Sequence, residues 1–288
     1  MKEPSVLITI ITRGRIDRQR TLRNLPPALR ELVTIVCHPG EKKEHQKRWG
    51  GQVADIVEAP ADVKGIGKVR HWVIKHFGAD VTIFMDDDLD FCTRMKPDLE
   101  HRENVSGLYT LHKGEFSPER QQEVLGEMFF WMIDQLSSGE YGMAGINARQ
   151  NSNFLPEFEE CTRQVTLWGV NKELYNSLPI SLADFTVKED FAITLAFLTN
   201  GIKTIKTNRW VYHTPDSNGE GGCSIYRTLE MSDKSAYILA EAFPKYVKVV
   251  ERSNNNWGGE DFKKAGVRKE VQIQWKKAYE DGLKRRKK

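Results

Sequence analysis

The sequence predicts an α/β protein with a mostly parallel central sheet flanked by helices. Short apolar runs rich in Val, Ile and Thr alternate with segments of helical periodicity, which is typical of β–α–β units. Proline or glycine follows several of these runs, where such a chain has to turn. Three consecutive aspartates directly after one run also indicate a functional edge of the sheet.

Four short apolar runs in the first third of the chain are predicted to be buried strands. Each has the length of a strand and is enriched in β-branched residues, and the second ends at a Pro-Gly turn signal. The runs are Ser5–Thr12, Leu32–Gly40, Ala54–Pro60 and Val81–Met85.

Two helical segments are predicted between these strands. Arg18–Leu25 is expected to end at the proline pair that begins with Pro26, because proline interrupts a helix. In Gly65–Gly78 the apolar residues recur on one helical face, and the final glycine provides a C-terminal stop.

The second part of the chain continues this alternation. One helix is predicted to begin at Ser117, and another lies within Asp184–Gly201 and ends at an Asn-Gly stop. Strands are predicted within Tyr141–Gln150, within Val165–Leu178 and in the run that leads to His213.

The composition is that of an ordinary globular protein, with 39% hydrophobic and 29% charged residues. No run approaches the roughly 18 apolar residues that span a bilayer, and the first residues lack a basic leader and a cleavage site. The four cysteines form no CxxC pair, so the sequence favours neither a zinc site nor a disulfide framework. We therefore expect a cytoplasmic protein without a membrane partner.

The C-terminal segment is strongly basic. Lys263–Lys288 contains eleven Lys and Arg against three acids, a balance of +8, and the chain total of +3 leaves −5 for the rest. From Val267, apolar residues recur every four positions, which predicts a docked amphipathic helix. Its basic face suits salt-dependent contact with a nucleic-acid backbone, and equally a solvated surface. The candidate nucleic-acid residues are Lys276, Lys277, Arg285 and Arg286.

The triplet Asp86–Asp88 is the strongest functional signal. Three adjacent carboxylates repel one another, and burying them without a cation is unfavourable, so the triplet is either a solvated loop or a cation site. Because it follows the strand Val81–Met85, it is predicted at the carboxyl edge of the sheet, where α/β proteins bind ligands. Asp86 and Asp88 project to the same side of an extended chain, so both can reach one divalent ion.

Three further features can share this chemistry. Lys188–Asp190 begins a predicted helix, although the helix dipole alone also favours acids there. His213 stands at a strand end before a glycine-rich stretch, although a single histidine is more often a surface or core residue. Arg13 and Arg15 follow the first strand, where guanidinium groups can hold phosphates.

The order of these motifs resembles the GT-A fold of nucleotide-sugar glycosyltransferases. In that family a DxD motif after a central strand holds Mn²⁺ or Mg²⁺ on the donor diphosphate, an xED motif supplies the base of inverting members, and a C-terminal histidine often joins the metal. The resemblance covers roughly Ser5 to Ser217. It implies the metal ligands Asp86, Asp88 and His213, the catalytic base Asp190 with Glu189 in reserve, and a nucleotide-sugar site of Thr12, Arg13, Arg15, Gly65, Lys68, Asp86 and Asp87.

Within that class, the opening VLITIITRGR, the segment IFMDDDLDF and the Trp- and Lys-rich C-terminus look like phage glycosyltransferases of the TET/JBP-associated group. This resemblance implies transfer of a hexose or pentose from a UDP-sugar to a 5-hydroxymethylpyrimidine in DNA, in the host cytoplasm if the chain is phage-encoded. No obligate protein partner is indicated. We expect one glycosyltransferase domain over residues 1–217, with a nucleotide-sugar half of about 1–95 and an acceptor half of about 96–217. Residues 218–288 are expected to form a flexible loop and a basic helical extension packed on that domain.

Several alternatives remain compatible with the sequence. Ser217–Ser224 has enough glycine for a lid over the donor, or is an ordinary surface loop. The acceptor can instead be a polysaccharide or a protein. The acidic triplet also suits a nucleotidyltransferase or a metal-dependent nuclease. A non-enzymatic DNA-binding protein with structural acids would bind DNA but no nucleotide sugar.

Overall fold

A computed structural model describes residues 3–94, 108–113, 116–149, 155–214, 222–254 and 260–286. The strands are β1 (Val6–Thr12), β2 (Val33–Cys37), β3 (Asp55–Glu58), β4 (Val81–Met85), β5 (Asp90–Thr93), β6 (Tyr109–Thr110), β7 (Tyr141–Ala148), β8 (Phe158–Glu160), β9 (Leu167–Asn171), β10 (Lys203–His213), β11 (Val247–Ser253) and β12 (Val267–Ile273). The α-helices are α1 (Arg20–Asn24), α2 (Pro27–Arg30), α3 (Lys42–Trp49), α4 (Ile66–Phe77), α5 (Pro118–Ser137), α6 (Lys172–Asn176), α7 (Glu189–Thr199), α8 (Leu229–Ala242), α9 (Glu260–Ala265) and α10 (Trp275–Arg286). Short 3₁₀ helices occupy Ile16–Arg18, Leu182–Asp184 and Gly222–Ile225.

The central sheet has the strand order β3-β2-β1-β4-β9-β7-β10-β5-β6, and β8 pairs with β10. Strands β1 to β4 are mutually parallel, and β9 lies antiparallel between β4 and β7. Of these ten described strands, β5, β8 and β9 run against the other seven. The predicted α/β class is confirmed, with a mixed sheet whose main strands share one carboxyl edge.

Side chains point alternately to the two faces of a sheet, so the buried strands present apolar side chains on both faces. Helices cover both of these faces. On β1, Ile8 and Ile10 point into a cluster formed with α1, α3 and α5. Leu7 on β1 and Phe84 on β4 point into the opposite cluster, which is formed with α4, α7, α8 and α10. The core therefore has two apolar layers with the sheet between them.

The boundaries of several elements follow the predicted local signals. Helix α4 ends at Gly78, whose φ of 64° lies in the left-handed region that glycine adopts readily. Helix α5 begins at Ser117, whose side chain accepts a hydrogen bond from the Arg120 amide. The predicted helix around Arg18–Leu25 is shorter than expected, because Arg18 ends a 3₁₀ helix and α1 begins only at Arg20. Among the described residues, every helix is too short or too polar to cross a bilayer.

The C-terminal segment packs on α7. Trp275 at the start of α10 stacks on Phe191 with ring centroids 6.1 Å apart. Further along α10, a Cβ at Gly282 would lie 2.3 Å from the Leu198 carbonyl oxygen, so only glycine allows this close approach. The helix expected from Val267 begins later, because β12 occupies the intervening residues and pairs antiparallel with β11.

Candidate functional site

The acidic triplet lies in a turn that leaves the carboxyl end of β4, as predicted. The backbone of this turn is held from two sides. The Asp86 amide donates to the Thr166 carbonyl at 3.2 Å, and the Thr21 amide donates to the Asp87 carbonyl at 3.2 Å. The Thr21 hydroxyl also donates to the Asp86 carbonyl at 2.6 Å and accepts from the Leu89 amide at 2.9 Å. The end of β4 and the start of α1 therefore fix the place of the triplet.

Asp87 faces into the protein, and only 5% of its side chain is exposed. Thr12 Oγ1 donates to one carboxylate oxygen at 2.5 Å, and Arg15 Nη1 donates to the other at 2.5 Å. Arg15 Nη1 also donates to Asp88 Oδ2 at 2.9 Å. Gln19 Nε2 supports this network by donating to Thr12 Oγ1 at 2.7 Å. Asp87 and Arg15 thus tie the first-strand loop to the acidic turn.

Asp86 and Asp88 are the more open carboxylates, with 43% and 25% of their side chains exposed. Asp86 Oδ1 accepts from Arg70 Nη2 at 3.2 Å, and Asp88 uses Oδ2 for Arg15. In the described part of the chain, the second oxygen of each carboxylate has no protein partner and is available to a ligand. Although solvent reaches one side of Asp86, burial of the other side raises its pKa to about 7, against the opposing effect of Arg70.

Arg70 connects the two acidic motifs. Its Nη1 donates to Glu189 Oε1 at 2.5 Å, while its Nη2 reaches Asp86. The guanidinium lies 5.0 Å from the centroid of the Trp168 ring and 93% of the Arg70 side chain is buried. Gly67 makes this position possible, because a Cβ there would lie 2.2 Å from the Phe185 carbonyl oxygen and 2.3 Å from that of Leu182. Arg70 was missed at the sequence level, although its spacing from Gly67 places it on the buried face of α4.

The second acidic motif, Lys188–Asp190, begins α7. Lys188 has a φ of 62°, in the left-handed region that a non-glycine residue rarely adopts. The two acids that follow are largely buried, with 7% of the Glu189 side chain and 12% of the Asp190 side chain exposed. Arg163 Nη2 donates to Asp190 Oδ2 at 3.2 Å, and the guanidinium of Arg163 lies 3.7 Å from the centroid of the Phe191 ring. Arg163 lies in a loop and carries no motif, so sequence reasoning missed it.

His213 lies at the end of β10, opposite Asp90 in the antiparallel pairing with β5. This places it at the same edge of the sheet as the acidic turn. Across the ranges that the structure describes, no three His, Cys, Asp or Glu side chains converge as metal ligands do. Asp86 and Asp88 nevertheless fit a hard cation, because each offers a partly exposed carboxylate oxygen. The three-residue metal site stays a prediction.

A cavity of about 530 Å³ opens at the carboxyl ends of β1 and β2, beside the start of α4. Three of the predicted nucleotide-sugar residues, Thr12, Arg13 and Gly65, line it. Arg15, in the loop after β1, and Asp87, in the acidic turn, are not part of this lining and bond to each other, and Lys68 is on the exposed face of α4. The remaining lining residues are largely apolar: Ile11, Val36, Cys37, His38, Pro39, Ala59, Ala61, Val63, Lys64, Ile66, Val69, Thr186, Gly222, Tyr226 and Met231.

The segment that begins at Gly222 covers one side of this cavity. The Gly222 amide donates to the Arg13 carbonyl at 2.9 Å, and the Tyr226 hydroxyl accepts from the Ile66 amide at 3.2 Å. The Arg13 guanidinium lies 5.9 Å from the centroid of the Tyr226 ring. Most of the predicted lid, Ser217–Ser224, lies outside the described residues.

The four basic residues predicted to contact nucleic acid occupy two ends of α10. Lys276 and Lys277 are exposed at its start, next to the stacked pair formed by Trp275 and Phe191. At its other end, Arg285 Nη2 donates to the Tyr246 hydroxyl at 3.2 Å, and Arg286 Nη1 donates to the Gly201 carbonyl at 3.2 Å. Only the first pair lies near the second acidic motif.

One protein family model matches most of this chain. The sequence model of the family described as TET-Associated Glycosyltransferase matches residues 6–222. That range includes both acidic motifs and ends before α8, the hairpin β11–β12 and α10. Among curated protein sequences, none matches the chain.

Solved structures with a similar architecture have low sequence identity to this chain. TarS 1–349 of S. aureus in complex with UDP-GlcNAc has a TM-score of 0.48 at 13% identity, covering 82% of this chain and 66% of that chain. Glucosyl-3-phosphoglycerate synthase from Mycobacterium tuberculosis with Mn²⁺, UDP and phosphoglyceric acid has a TM-score of 0.48 at 9% identity. The match covers 94% of this chain and 87% of the synthase chain. GalNAc-T7 with UDP, GalNAc and Mn²⁺ has a TM-score of 0.45 at 9% identity, covering 74% and 44%. This chain therefore spans just under two thirds of the TarS chain and less than half of the GalNAc-T7 chain.

Proposed function

Because the chain belongs to the TET-associated glycosyltransferase family, we propose that it transfers a sugar from a UDP-sugar to the hydroxyl group of a 5-hydroxymethylpyrimidine base in DNA. The observation that carries the proposal is the bridge of Arg70 between Asp86 and Glu189, beside a cavity at the carboxyl edge of the sheet. This bridge brings two motifs from distant parts of the chain to one place. An α/β protein binds its ligand at such an edge.

We assign the nucleotide of the donor to the cavity of about 530 Å³, a size typical of small-molecule sites. Its apolar walls suit a pyrimidine ring, and Tyr226 borders it on one side. Arg13 lines the cavity at the end of β1, from where its guanidinium can pair with phosphate oxygens. The sugar diphosphate would then extend from the cavity toward Asp86 and Asp88.

Asp86 and Asp88 are the residues that would hold Mn²⁺ or Mg²⁺, with His213 as the predicted third ligand. When bound, the ion would act as a Lewis acid that offsets the charge of the departing diphosphate. Asp87 is assigned a different role, because its carboxylate oxygens already accept hydrogen bonds from Thr12 and Arg15. It would keep the acidic turn in place.

Asp190 is proposed as the proton acceptor. As the acceptor oxygen bonds to the anomeric carbon, the bond from that carbon to the diphosphate breaks and UDP leaves with the electron pair. The hydroxyl proton passes to Asp190, and attack from the opposite face gives inversion. Asp190 is favoured over Glu189 because its partner Arg163 is 41% exposed, whereas Glu189 is held by the buried Arg70.

DNA is proposed to approach α10 at its start. Lys276 and Lys277 are exposed there and can contact backbone phosphates, with a salt-dependent contribution to affinity. Arg285 and Arg286 lie at the far end and already have protein partners. A base in a duplex would have to flip outward, or at least expose its hydroxymethyl group, to reach Asp190.

The test is an incubation of the protein with a panel of UDP-sugars, Mn²⁺ and DNA that contains 5-hydroxymethylpyrimidines, followed by digestion to nucleosides and mass measurement. The expected result is a gain of one hexose or one pentose on a single nucleoside. The matched control is Asp86→Asn together with Asp88→Asn, which removes the cation ligands and should abolish the gain.

Three results would contradict this proposal. Transfer to a carbohydrate or protein acceptor without transfer to modified DNA would assign the same chemistry to another acceptor. Release of pyrophosphate instead of UDP would indicate a nucleotidyltransferase. Salt-dependent DNA binding without any metal-dependent heat from UDP-sugars, measured by calorimetry, would indicate a DNA-binding protein whose acids are structural.

A further inference from the structure

We propose that Glu270, on strand β12 of the C-terminal hairpin, is a positioning residue for the turn Lys188–Asp190, and that the hairpin β11–β12 thereby completes the active site. This inference rests on the proposed function where it names Asp190 as the proton acceptor. The hairpin lies outside residues 6–222, which are the residues matched by the family. The proposed positioning role therefore comes from residues outside the range that the family model matches.

The contact between the hairpin and the turn is a buried ion pair. Lys188 Nζ lies 2.5 Å from Glu270 Oε1, and only 9% of the Lys188 side chain and 20% of the Glu270 side chain are exposed. The other carboxylate oxygen of Glu270 lies 3.5 Å from Arg268 Nε, and the Val271 amide donates to Oε1 at 3.1 Å. Contacts within β12 therefore orient both carboxylate oxygens of Glu270 independently of Lys188. A carboxylate held in this way constrains the Lys188 side chain that it binds.

The residue held by Glu270 is the one that sets the direction of α7. Lys188 carries the left-handed φ of 62° and its carbonyl accepts the Ala192 amide at 3.1 Å, the first bond of the helix. A non-glycine residue keeps this conformation only where its surroundings enforce it. Glu189 and Asp190 follow directly, so a change at Lys188 rotates both carboxylates.

A second contact links the same C-terminal segment to the other side of the turn. Trp275, two residues after β12, stacks on Phe191 with an angle of 26° between the rings. Arg163 lies against Phe191 at 3.7 Å and pairs with Asp190 at 3.2 Å. The C-terminal segment therefore contacts Lys188 directly and reaches Asp190 through Phe191 and Arg163.

Charge supports this arrangement. Burial alone would raise the pKa of Glu270, but the nearby Lys188, its hydrogen bond and Arg163 lower it overall. Glu270 is therefore ionised at neutral pH, as the ion pair requires.

The same hairpin provides a matched control. Glu251 on β11 pairs with Lys269 at 2.6 Å, and 65% of its side chain is exposed. It lies opposite Lys269 in the hairpin, so its side chain and that of Glu270 are on opposite faces. Exposed pairs of this kind contribute little. Glu251→Gln removes the same charge from the same hairpin without touching the turn.

The first experiment compares Glu270→Gln with Glu251→Gln in steady-state transfer to modified DNA and in Mn²⁺-dependent UDP binding. Glu270→Gln should lower kcat about 10- to 100-fold, the effect of a small misplacement of a reacting group, and leave the Kd for UDP within about twofold. Glu251→Gln should change neither quantity. The charge swap Lys188→Glu with Glu270→Lys should recover part of kcat relative to either single change. A kcat within about twofold of the wild type for Glu270→Gln, or an equal loss of kcat and UDP affinity, would overturn the proposal.

The second experiment does not depend on activity. Amide hydrogen exchange at residues 189–192 should accelerate at least about tenfold in Glu270→Gln and remain unchanged in Glu251→Gln. If no UDP-sugar and acceptor pair is turned over by the wild type, the proposed function fails, and this measurement alone decides the positioning role. Equal exchange in the two variants would contradict it. Lys188→Met, which removes the pair from the other side, should reproduce the result if Glu270→Gln does not fold.

Discussion

The two acidic motifs of the candidate site are supported in different ways. Asp86–Asp88 follows a fully buried strand, and backbone groups of the turn bond to Thr21 and Thr166. Glu189 and Asp190 instead begin a helix at a residue in the left-handed conformation, and their surroundings consist of charged side chains from distant segments. The first motif is placed by its strand and by hydrogen bonds of its backbone, and the second by charged side chains from other segments.

This difference indicates how sensitive the position of each acidic motif is to a single substitution. Backbone bonds at the end of a central strand persist when a single side chain changes, so the proposed cation site keeps its position. The turn that carries the proposed proton acceptor depends on ion pairs with Arg70, Arg163 and Glu270. Loss of one partner from a buried pair leaves an uncompensated charge, which is costly.

The largest effect is expected when the second motif loses its proposed proton acceptor, Asp190. Asp190→Asn keeps the size of the side chain but cannot accept the proton, so kcat should fall about 10²- to 10⁴-fold. The measurement is single-turnover transfer to modified DNA. Mn²⁺-dependent UDP binding, which we assign to the first motif, should be retained. Turnover within a few-fold of the wild type would show that Asp190 is not the base, and Glu189→Gln would then be the variant to examine.

The next effect falls on the residue that both motifs share. Arg70→Met leaves Glu189 buried without its ion-pair partner and should lower the free energy of unfolding by about 3–5 kcal/mol, measured by urea denaturation. Arg163→Met is the matched control. Because 41% of the Arg163 side chain is exposed, its loss should cost clearly less. Equal losses for the two variants would contradict the central place of Arg70.

A smaller effect is expected from the backbone support of the first motif. Thr21→Val keeps the shape of the side chain but removes the hydroxyl that bonds to the Asp86 carbonyl and the Leu89 amide. Leaving these buried groups unpaired should cost about 1–3 kcal/mol in the free energy of unfolding. Thr21→Ser retains the hydroxyl and should lose less. If both variants were as stable as the wild type, the backbone bonds to Thr21 and Thr166 would hold the turn without the hydroxyl.

The sequence predicted what depends on local signals. Apolar runs placed β1, β2 and β4, a glycine ended α4, and the acidic triplet was found because it interrupts a buried pattern. It did not predict β12, since Val267 and Val271 are four residues apart, a spacing that fits one face of a helix and equally one face of a strand. Pairing with β11 decided between the two.

The partners of the second motif could not be predicted for another reason. Arg70 lies on a helix, Arg163 in a loop and Glu270 in a hairpin, and none belongs to a motif. Their common function exists only after the chain has brought α4, α7 and β12 together. Long-range ion pairs of this kind leave no periodic trace in a single sequence.

The smallest effect concerns how the contacts that support each of the two acidic motifs respond to acid. The pKa of Glu270 lies below its ordinary value of 4.5, because Lys188 and its hydrogen bonds outweigh the effect of burial. The stabilisation from this pair is therefore fully present above a pH of about 4.5 and is lost as the pH falls through the folded-state pKa, at about 1.4 kcal/mol for each unit of the shift. The backbone bonds around Asp86–Asp88 do not titrate. We expect the difference in unfolding free energy between the wild type and Glu270→Gln to be constant near neutral pH and to shrink below a pH of about 4.5. A difference that stays constant down to a pH of about 3 would show that Lys188 is held without the charge of Glu270, and the contrast between the two motifs would then lie in their packing.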